Sequence, residues 1–286
     1  MRDLHHRLGN AAPDVLVGAA ELRERLALPQ APVVLDVRWR LGDAEGHSHY
    51  LEGHIPGAVY VDLERELASP SSPAGGRHPL PSLAALQASA RRWGVRADSE
   101  VVVYDDVGNL SAARAWWLLR WGGLSKVRML DGGLAAWRGA GGGIETGERE
   151  PHAGDVELSA GHMPVLDADA AAALTRDGLL LDARAAERYR GDVEPIDPRA
   201  GHIPGAVSAP TSENLHQDGT FVDAAELSER FRALGVHAPL ALGVYCGSGI
   251  TAAHEVAALA LAGFEAALYP GSWSQWCADP SRPIAP

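Results

Sequence analysis

Cysteine, lysine and phenylalanine are scarce in this 286-residue sequence. The two cysteines, Cys246 and Cys277, can build neither a disulfide framework nor a cysteine-rich metal centre, and their spacing fits no redox or zinc pattern. A single lysine, Lys126, stands among 25 basic residues, and the arginines are scattered rather than gathered into a patch. With 37 acidic residues the formal charge is -12, a field that repels nucleic acid and anionic membranes. No apolar run approaches the roughly 20 residues that cross a bilayer. The segment from Met1 to Pro13, with Arg2, His5, His6 and Arg7, lacks the apolar centre of a signal peptide. The expectation is a cytoplasmic protein with neither nucleic acid nor membrane as partner. Hydrophobic residues at 46% and charged ones at 22% exclude a disordered chain, and the length suggests two domains at about 150 residues each.

What is present is a long internal repeat. Val34-Leu35-Asp36-Val37-Arg38 returns as Leu180-Leu181-Asp182-Ala183-Arg184, and Gly53-His54-Ile55-Pro56-Gly57-Ala58-Val59 returns unchanged from Gly201 to Val207. Val103-Tyr104-Asp105 matches Val244-Tyr245-Cys246, and Asp131-Gly132-Gly133 before Trp137 matches Pro270-Gly271-Ser272 before Trp276. Order and spacing are kept, so a whole domain is duplicated rather than a short solenoid unit. The glycine-rich run Gly139 to Gly143 and the acidic stretch after it read as a linker. This puts the first domain at residues 1–150 and the second at 151–286.

Each copy alternates strand-length apolar runs with helical patterns. Val33 to Val37, Val101 to Tyr104, Leu179 to Leu181 and Leu240 to Tyr245 read as strands. Leu83, Leu86, Ala90 and Trp93 fall at helical spacing, as do Ala113, Trp116, Trp117 and Arg120; Leu227, Phe231 and Leu234 mark another helix, and Thr251 to Ala262 is strongly helical. The implied fold is α/β, twice: a tandem duplication in which each unit is a parallel sheet with helices on both faces.

The copies differ where one strand runs into Cys246-Gly247-Ser248-Gly249-Ile250-Thr251 and a helix. Ligands of open α/β sheets bind at the carboxyl ends of strands. A loop there with two glycines can curl its amides toward one point, and the next helix adds its positive end. Such surroundings lower a thiol pKa. A buried cysteine ending a strand is the bland alternative, but strand, glycine loop and helix in that order favour Cys246 as a nucleophile. The first copy has Asp105 at this position and is expected to be catalytically silent, supplying packing and pocket walls. A cysteine phosphatase would need an arginine where Ala252 stands. The relaxed dinucleotide pattern Gly247-x-Gly249-x-x-Ala252 with Glu265 lacks the second mononucleotide half.

The repeat, the two GHIPGA blocks and the cysteine loop together resemble the two-domain rhodanese family over nearly the whole chain. The loop is similar to the CGSGVT loop of its mercaptopyruvate-using members, differing by one methylene. Thiosulfate-using members of the mammalian type carry basic residues where Gly247 and Ser248 stand. The resemblance implies a sulfurtransferase that moves sulfur from 3-mercaptopyruvate, or alternatively thiosulfate, through a persulfide on Cys246 to a thiol, a thioredoxin-like protein or cyanide. Amides of Gly247, Ser248, Gly249, Ile250 and Thr251 would hold the outer sulfur, and no metal or organic cofactor is implied. Arg188 matches the arginine that holds the donor anion, which a guanidinium can grip with two parallel bonds. Arg184 and Arg190 read as structural. The second carboxylate-binding arginine of mammalian members has no clear counterpart, although Arg199 could approach the pocket.

The proton relay proposed for mercaptopyruvate members maps by the same resemblance onto Ser248, His54 and Asp43; alternatively His54 caps a turn, as His202 holds the same motif position. A regulatory or sulfur-carrier module without turnover is the rival from another class, and the oligomeric expectation is a monomer or weak homodimer. His47-Ser48-His49 and His5-His6 read as solvated residues rather than metal ligands. Trp116, Trp117 and Trp121 read as core, Trp273 and Trp276 as core or pocket wall, and Cys277 as a passive hydrophobe.

Overall fold

A computed structural model of the chain describes residues 14–286. The first half runs β1 (Leu16–Val17), α1 (Ala19–Leu26), β2 (Val33–Asp36), α2 (Gly46–Glu52), β3 (Val59–Tyr60), α3 (Leu63–Glu66), α4 (Leu83–Arg92), β4 (Val101–Tyr104), α5 (Ala112–Trp121), β5 (Val127–Leu130) and α6 (Gly133–Gly139). The second runs α7 (Ala168–Asp177), β6 (Leu179–Asp182), α8 (Ala186–Tyr189), β7 (Val207–Ser208), a 3-10 turn (Thr211–Asn214), α9 (Ala224–Ala233), β8 (Leu242–Tyr245), α10 (Thr251–Leu261), β9 (Ala267–Leu268) and α11 (Ser272–Trp276). The strand orders are β1-β5-β4-β2-β3 and β7-β6-β8-β9, with parallel pairing throughout both sheets. This is the duplicated α/β architecture read from the sequence.

Both faces of each central strand are covered, which is why these strands are continuously apolar. In β4, Val101 and Val103 face one core while Val102 and Tyr104 face another. Helix starts are fixed by side-chain caps: Ser82 accepts from Ala85 N–H at 3.2 Å, and Asp167 from Ala170 N–H at 2.8 Å. Helices α5 and α10 are buried almost along their whole length, and they pack against each other. A helix apolar on all sides belongs inside a molecule. Here that interior is the junction of the halves, so one apolar cluster runs through both.

The repeated Asp-x-Arg segments lock the strand ends to the GHIPGA turns. Arg38 pairs with Asp36 through its Nη2 at 2.8 Å and donates to Gly53 O at 2.9 Å; Arg184 does the same with Asp182 at 2.6 Å and Gly201 O at 2.7 Å. Tyr104 and Tyr245 hydroxyls accept from Ile55 and Ile203 N–H. Arg184 is therefore structural. Among the described residues, no helix is long and apolar enough to cross a membrane.

Candidate active site

Strand β8 delivers the chain to Cys246, five residues before α10 begins. Gly249 N–H points at Cys246 Sγ from 3.1 Å, the one amide of the expected set that hydrogen-bonds to the sulfur. Gly249 has φ +78°, and a Cβ there would stand 2.4 Å from Pro270 O, so only glycine can aim that amide. The turn after β9 holds the loop from behind. Cys246 N–H donates to Ser272 Oγ at 3.1 Å, and that hydroxyl donates to Tyr269 O at 2.9 Å. Trp273 N–H and Ser274 N–H donate to the carbonyls of Cys246 and Gly247, both at 2.9 Å. Ser272 adopts φ +52°, a left-handed conformation costing about 1–2 kcal/mol for a residue with a Cβ. Strain kept at a loop this tightly bonded fixes geometry at a functional site. Cys246 is 1% exposed: the site is closed.

The expected relay through His54 and Asp43 is not what the chain builds. His54 stacks on Tyr50 at 4.0 Å and its Nδ1 bonds Tyr50 O at 2.9 Å; His202 repeats both contacts on Tyr189, at 3.8 Å and 2.9 Å. The histidine of GHIPGA closes a turn in both halves. Asp43 lies beside His49, 3.4 Å away, and accepts from Glu45 N–H. Ser248 instead meets His78, with Oγ to Nδ1 at 2.8 Å, and His78 Nε2 lies 3.3 Å from Glu64 Oε1. The carboxylate fixes the tautomer: Nε2–H donates to Glu64, which leaves Nδ1 to accept from the Ser248 hydroxyl. Trp39 packs edge-on against His78 at 5.5 Å and donates to Glu64 at 3.1 Å. Burial pushes the His78 pKa below the usual histidine range, with Glu64 opposing, so the ring is neutral at neutral pH.

Two guanidiniums flank the residue after the nucleophile. A Cβ at Gly247 would lie 3.0 Å from Arg77 Nη2 and 3.4 Å from Arg188 Nη1. Arg188 lies on one side of Gly247, and the second guanidinium there is Arg77, from the first half. Arg199 turns to the carbonyls of Asp279 and Arg282, at 3.2 Å and 3.3 Å. Both flanking arginines are occupied: Arg188 Nη2 donates to Glu194 Oε1 at 2.6 Å and Asp197 Oδ2 at 3.3 Å, and Arg77 pairs with Asp197. Arg77 N–H donates to Ser274 Oγ at 3.0 Å, tying it to the turn behind the cysteine.

Below the loop, the fully buried Arg114 of α5 donates to Gly249 O at 3.0 Å, His78 O at 2.9 Å and Leu67 O at 3.3 Å. The first half thus grips the residue whose amide serves the sulfur. Burial pushes this guanidinium down to about 10.

Glu64, Arg77, His78 and Arg114 are the residues against the cysteine loop that the sequence did not point to. For Arg77 and His78 the available signal was length, since residues 67–82 form a long irregular connection of the kind that is usually functional; Glu64 in α3 and Arg114 in α5 carried none. The other residues singled out lie elsewhere. Trp116 and Trp117 are core; Trp273 and Trp276 are buried, with Nε1 bonded to Arg199 O and Pro283 O. Cys277 is buried, and burial pushes its thiol up to about 11. His47 pairs with Glu148 and His49 with Asp43; His5 and His6 lie outside the described residues. Among the described residues, no three potential ligands cluster for a metal. A surface cavity of about 670 Å³ opens at the amino ends of the first sheet, lined by Asp14, Arg25, Glu100 and Arg128, and none of the residues around Cys246 borders it.

Two duplicated parallel lobes, with one amide-cradled cysteine at the rim of the second sheet, define a tandem cysteine-loop α/β protein. The family described as rhodanese-like domain matches residues 18–140 and again 167–279. The chain belongs to the rhodanese family. It is 51% identical to SseB of Mycobacterium tuberculosis, which bears a provisional thiosulfate sulfurtransferase name, over 96% of this chain and 98% of that one. It is 49% identical to a Pseudomonas aeruginosa protein with a provisional 3-mercaptopyruvate sulfurtransferase name, over 94% and 97%. The crystal structure of SseA from Escherichia coli, described with the mechanism of 3-mercaptopyruvate sulfotransferases, matches with TM-score 0.79 and 35% identity over 91% of this chain and 98% of that one.

Proposed function

We propose that this chain is a sulfurtransferase that takes sulfur from 3-mercaptopyruvate and hands it to a thiol, a thioredoxin-like protein or cyanide, in two half-reactions. The observation that carries the reading is Cys246 Sγ under the Gly249 amide, in a loop whose Gly247 lies against Arg77 and Arg188 and whose Ser248 heads the chain to His78 and Glu64.

In the first half-reaction the Cys246 thiolate attacks the donor sulfur. The new S–S bond forms as the donor C–S bond breaks, and the carbon leaves with the electron pair as the pyruvate enolate. The transferred donor sulfur is oxidised to the sulfane level, and the donor carbon, which keeps the C–S electron pair, is reduced. The donor's thiol proton passes to Ser248 and neutral His78 and returns to the enolate carbon, giving pyruvate. Arg188 and Arg77 hold the donor carboxylate, and the Gly249 amide with the α10 terminus steadies the persulfide anion. In the second half-reaction the acceptor attacks the outer sulfur, Cys246 leaves as thiolate, and a new persulfide or thiocyanate departs. The second half of the chain, from about residue 151, holds the nucleophile; the first half, with Asp105 at that place, contributes Glu64, Arg77, His78 and Arg114.

Intact-protein mass spectrometry after addition of mercaptopyruvate should show a gain of one sulfur that cyanide removes. A gain that persists in Cys246→Ser, or none in the wild type, removes the reading. Thiosulfate is the second reading, favoured by the name of the SseB relative. In that case sulfite is the leaving group and no enolate needs a proton.

A further inference from the structure

Beside Cys246, the cations are already answered by the chain's own anions. Glu194 accepts from Arg188 through Oε1 at 2.6 Å and Oε2 at 3.3 Å, and its Oε2 lies 3.5 Å from Arg184 Nη1. Asp197 takes Arg77 on Oδ1 and Arg188 on Oδ2 at 3.3 Å. Both carboxylate side chains are only 4% exposed, against 23% and 17% for Arg77 and Arg188. Glu194 also accepts the N–H of Ile196 and of Asp197, so the segment is bonded to itself as well as to the arginines. Pro195 and Pro198 stiffen its backbone.

We propose that Glu194 and Asp197 are the residues that set the charge of the sulfur donor: by neutralising Arg77 and Arg188 they leave a clamp that takes one carboxylate and disfavours a dianion. The inference rests on the sulfurtransferase reading above and deepens it. A guanidinium has five N–H donors, so each arginine can keep its internal partner and still lend a bond to an incoming carboxylate. A second negative charge has no free cation to meet and faces two fixed carboxylates held out of water, where charges act strongly. Mercaptopyruvate with its thiol protonated carries one negative charge, and thiosulfate carries two. Hydrogen-bonding capacity admits both donors, and the charge separates them.

The test measures kcat/KM for mercaptopyruvate and for thiosulfate, with cyanide as acceptor, in the wild type, Asp197→Asn, Glu194→Gln and Asp197→Glu. Each amide variant keeps the shape and removes one charge. The ratio of thiosulfate to mercaptopyruvate efficiency is expected to rise about tenfold in each, the effect of one charge at a few ångströms in a partly screened site. Asp197→Glu restores the charge and should return the ratio toward the wild-type value. A ratio that stays constant while both efficiencies fall together overturns the inference, because it marks the carboxylates as supports for the arginines. A ratio that shifts equally in Asp197→Glu overturns it too. A wild type whose Cys246 gains sulfur from neither donor removes the sulfurtransferase reading itself, and the inference falls with it.

Discussion

The two halves answer the same architectural question with different atoms. Each sends its central strand into a loop that opens onto a buried helix, and in each the loop amides converge. In the first half the convergence point is filled by Asp105. Its Oδ1 accepts from Val107 and Asn109 N–H at 2.9 Å and 2.8 Å, and its Oδ2 from Ser111 and Ala112 N–H at 2.8 Å and 3.0 Å. In the second half a shorter loop gives Cys246 Sγ one amide, from Gly249. An internal carboxylate takes four amides in the first loop, whereas the second directs a single amide at a sulfur. What separates the two loops is therefore the atom at the centre and the groups set around it. Ser248, His78, Arg77 and Arg188 surround only the second.

The most severe test exchanges the two solutions. Cys246→Asp removes the nucleophile and should lose turnover completely, as judged by pyruvate release. Asp105→Cys should gain no persulfide by mass spectrometry, since the Ser248–His78–Glu64 chain is bonded to the other loop. Next in size is the contrast between two histidines. His78→Gln should lower kcat with mercaptopyruvate by about a hundredfold, the usual range for losing a general acid–base. His54→Gln should leave kcat within about twofold and cost stability of order 1 kcal/mol through its lost turn bond, read by urea denaturation. A third test empties the first cradle. Asp105→Ala leaves four buried amides without an acceptor and should cost about 3 kcal/mol, seen as a lower urea midpoint with an unchanged slope.

The last test concerns pH. His254 of α10 is fully buried at the junction, bonded to Thr211 Oγ1 at 2.7 Å and Gly108 O at 3.2 Å, and burial pushes its pKa down to about 3. The unfolded chain binds a proton on this ring below about 6.5, the ordinary histidine value, and the native state does not. Its contribution to stability is thus intact above that pH and lost as pH falls from about 6.5 toward 3. Thermal melts should show the decline, and His254→Gln should flatten it.

The central strands were legible because continuous burial demands continuous apolar residues. Val101 to Tyr104 was read with the bounds that β4 has, and Leu240 to Tyr245 overran β8 by two residues. The two-residue strands β1, β3, β7 and β9 are too short to leave any periodicity. Cys246 was legible from local order: strand, glycines, helix. Arg188 was placed beside it by family resemblance. His78 was not, because its partner Ser248 is 170 positions away and its own segment has no regular pattern. His54 attracted attention through a motif whose repetition as His202 was already a sign of a turn-closing role. Local signals expose local chemistry, and contacts across the junction leave little trace in either stretch of sequence.

Arg114 carries a consequence for the history of such a molecule. Its side chain reaches out of the lobe that lacks the thiol and holds the backbone of the lobe that has it. A gene shortened to its second copy would encode a sulfhydryl whose loop has lost the imidazole bonded to Ser248, one of the two guanidiniums against Gly247 and the anchor under Gly249. The duplicate could fall mute, yet it could not be deleted.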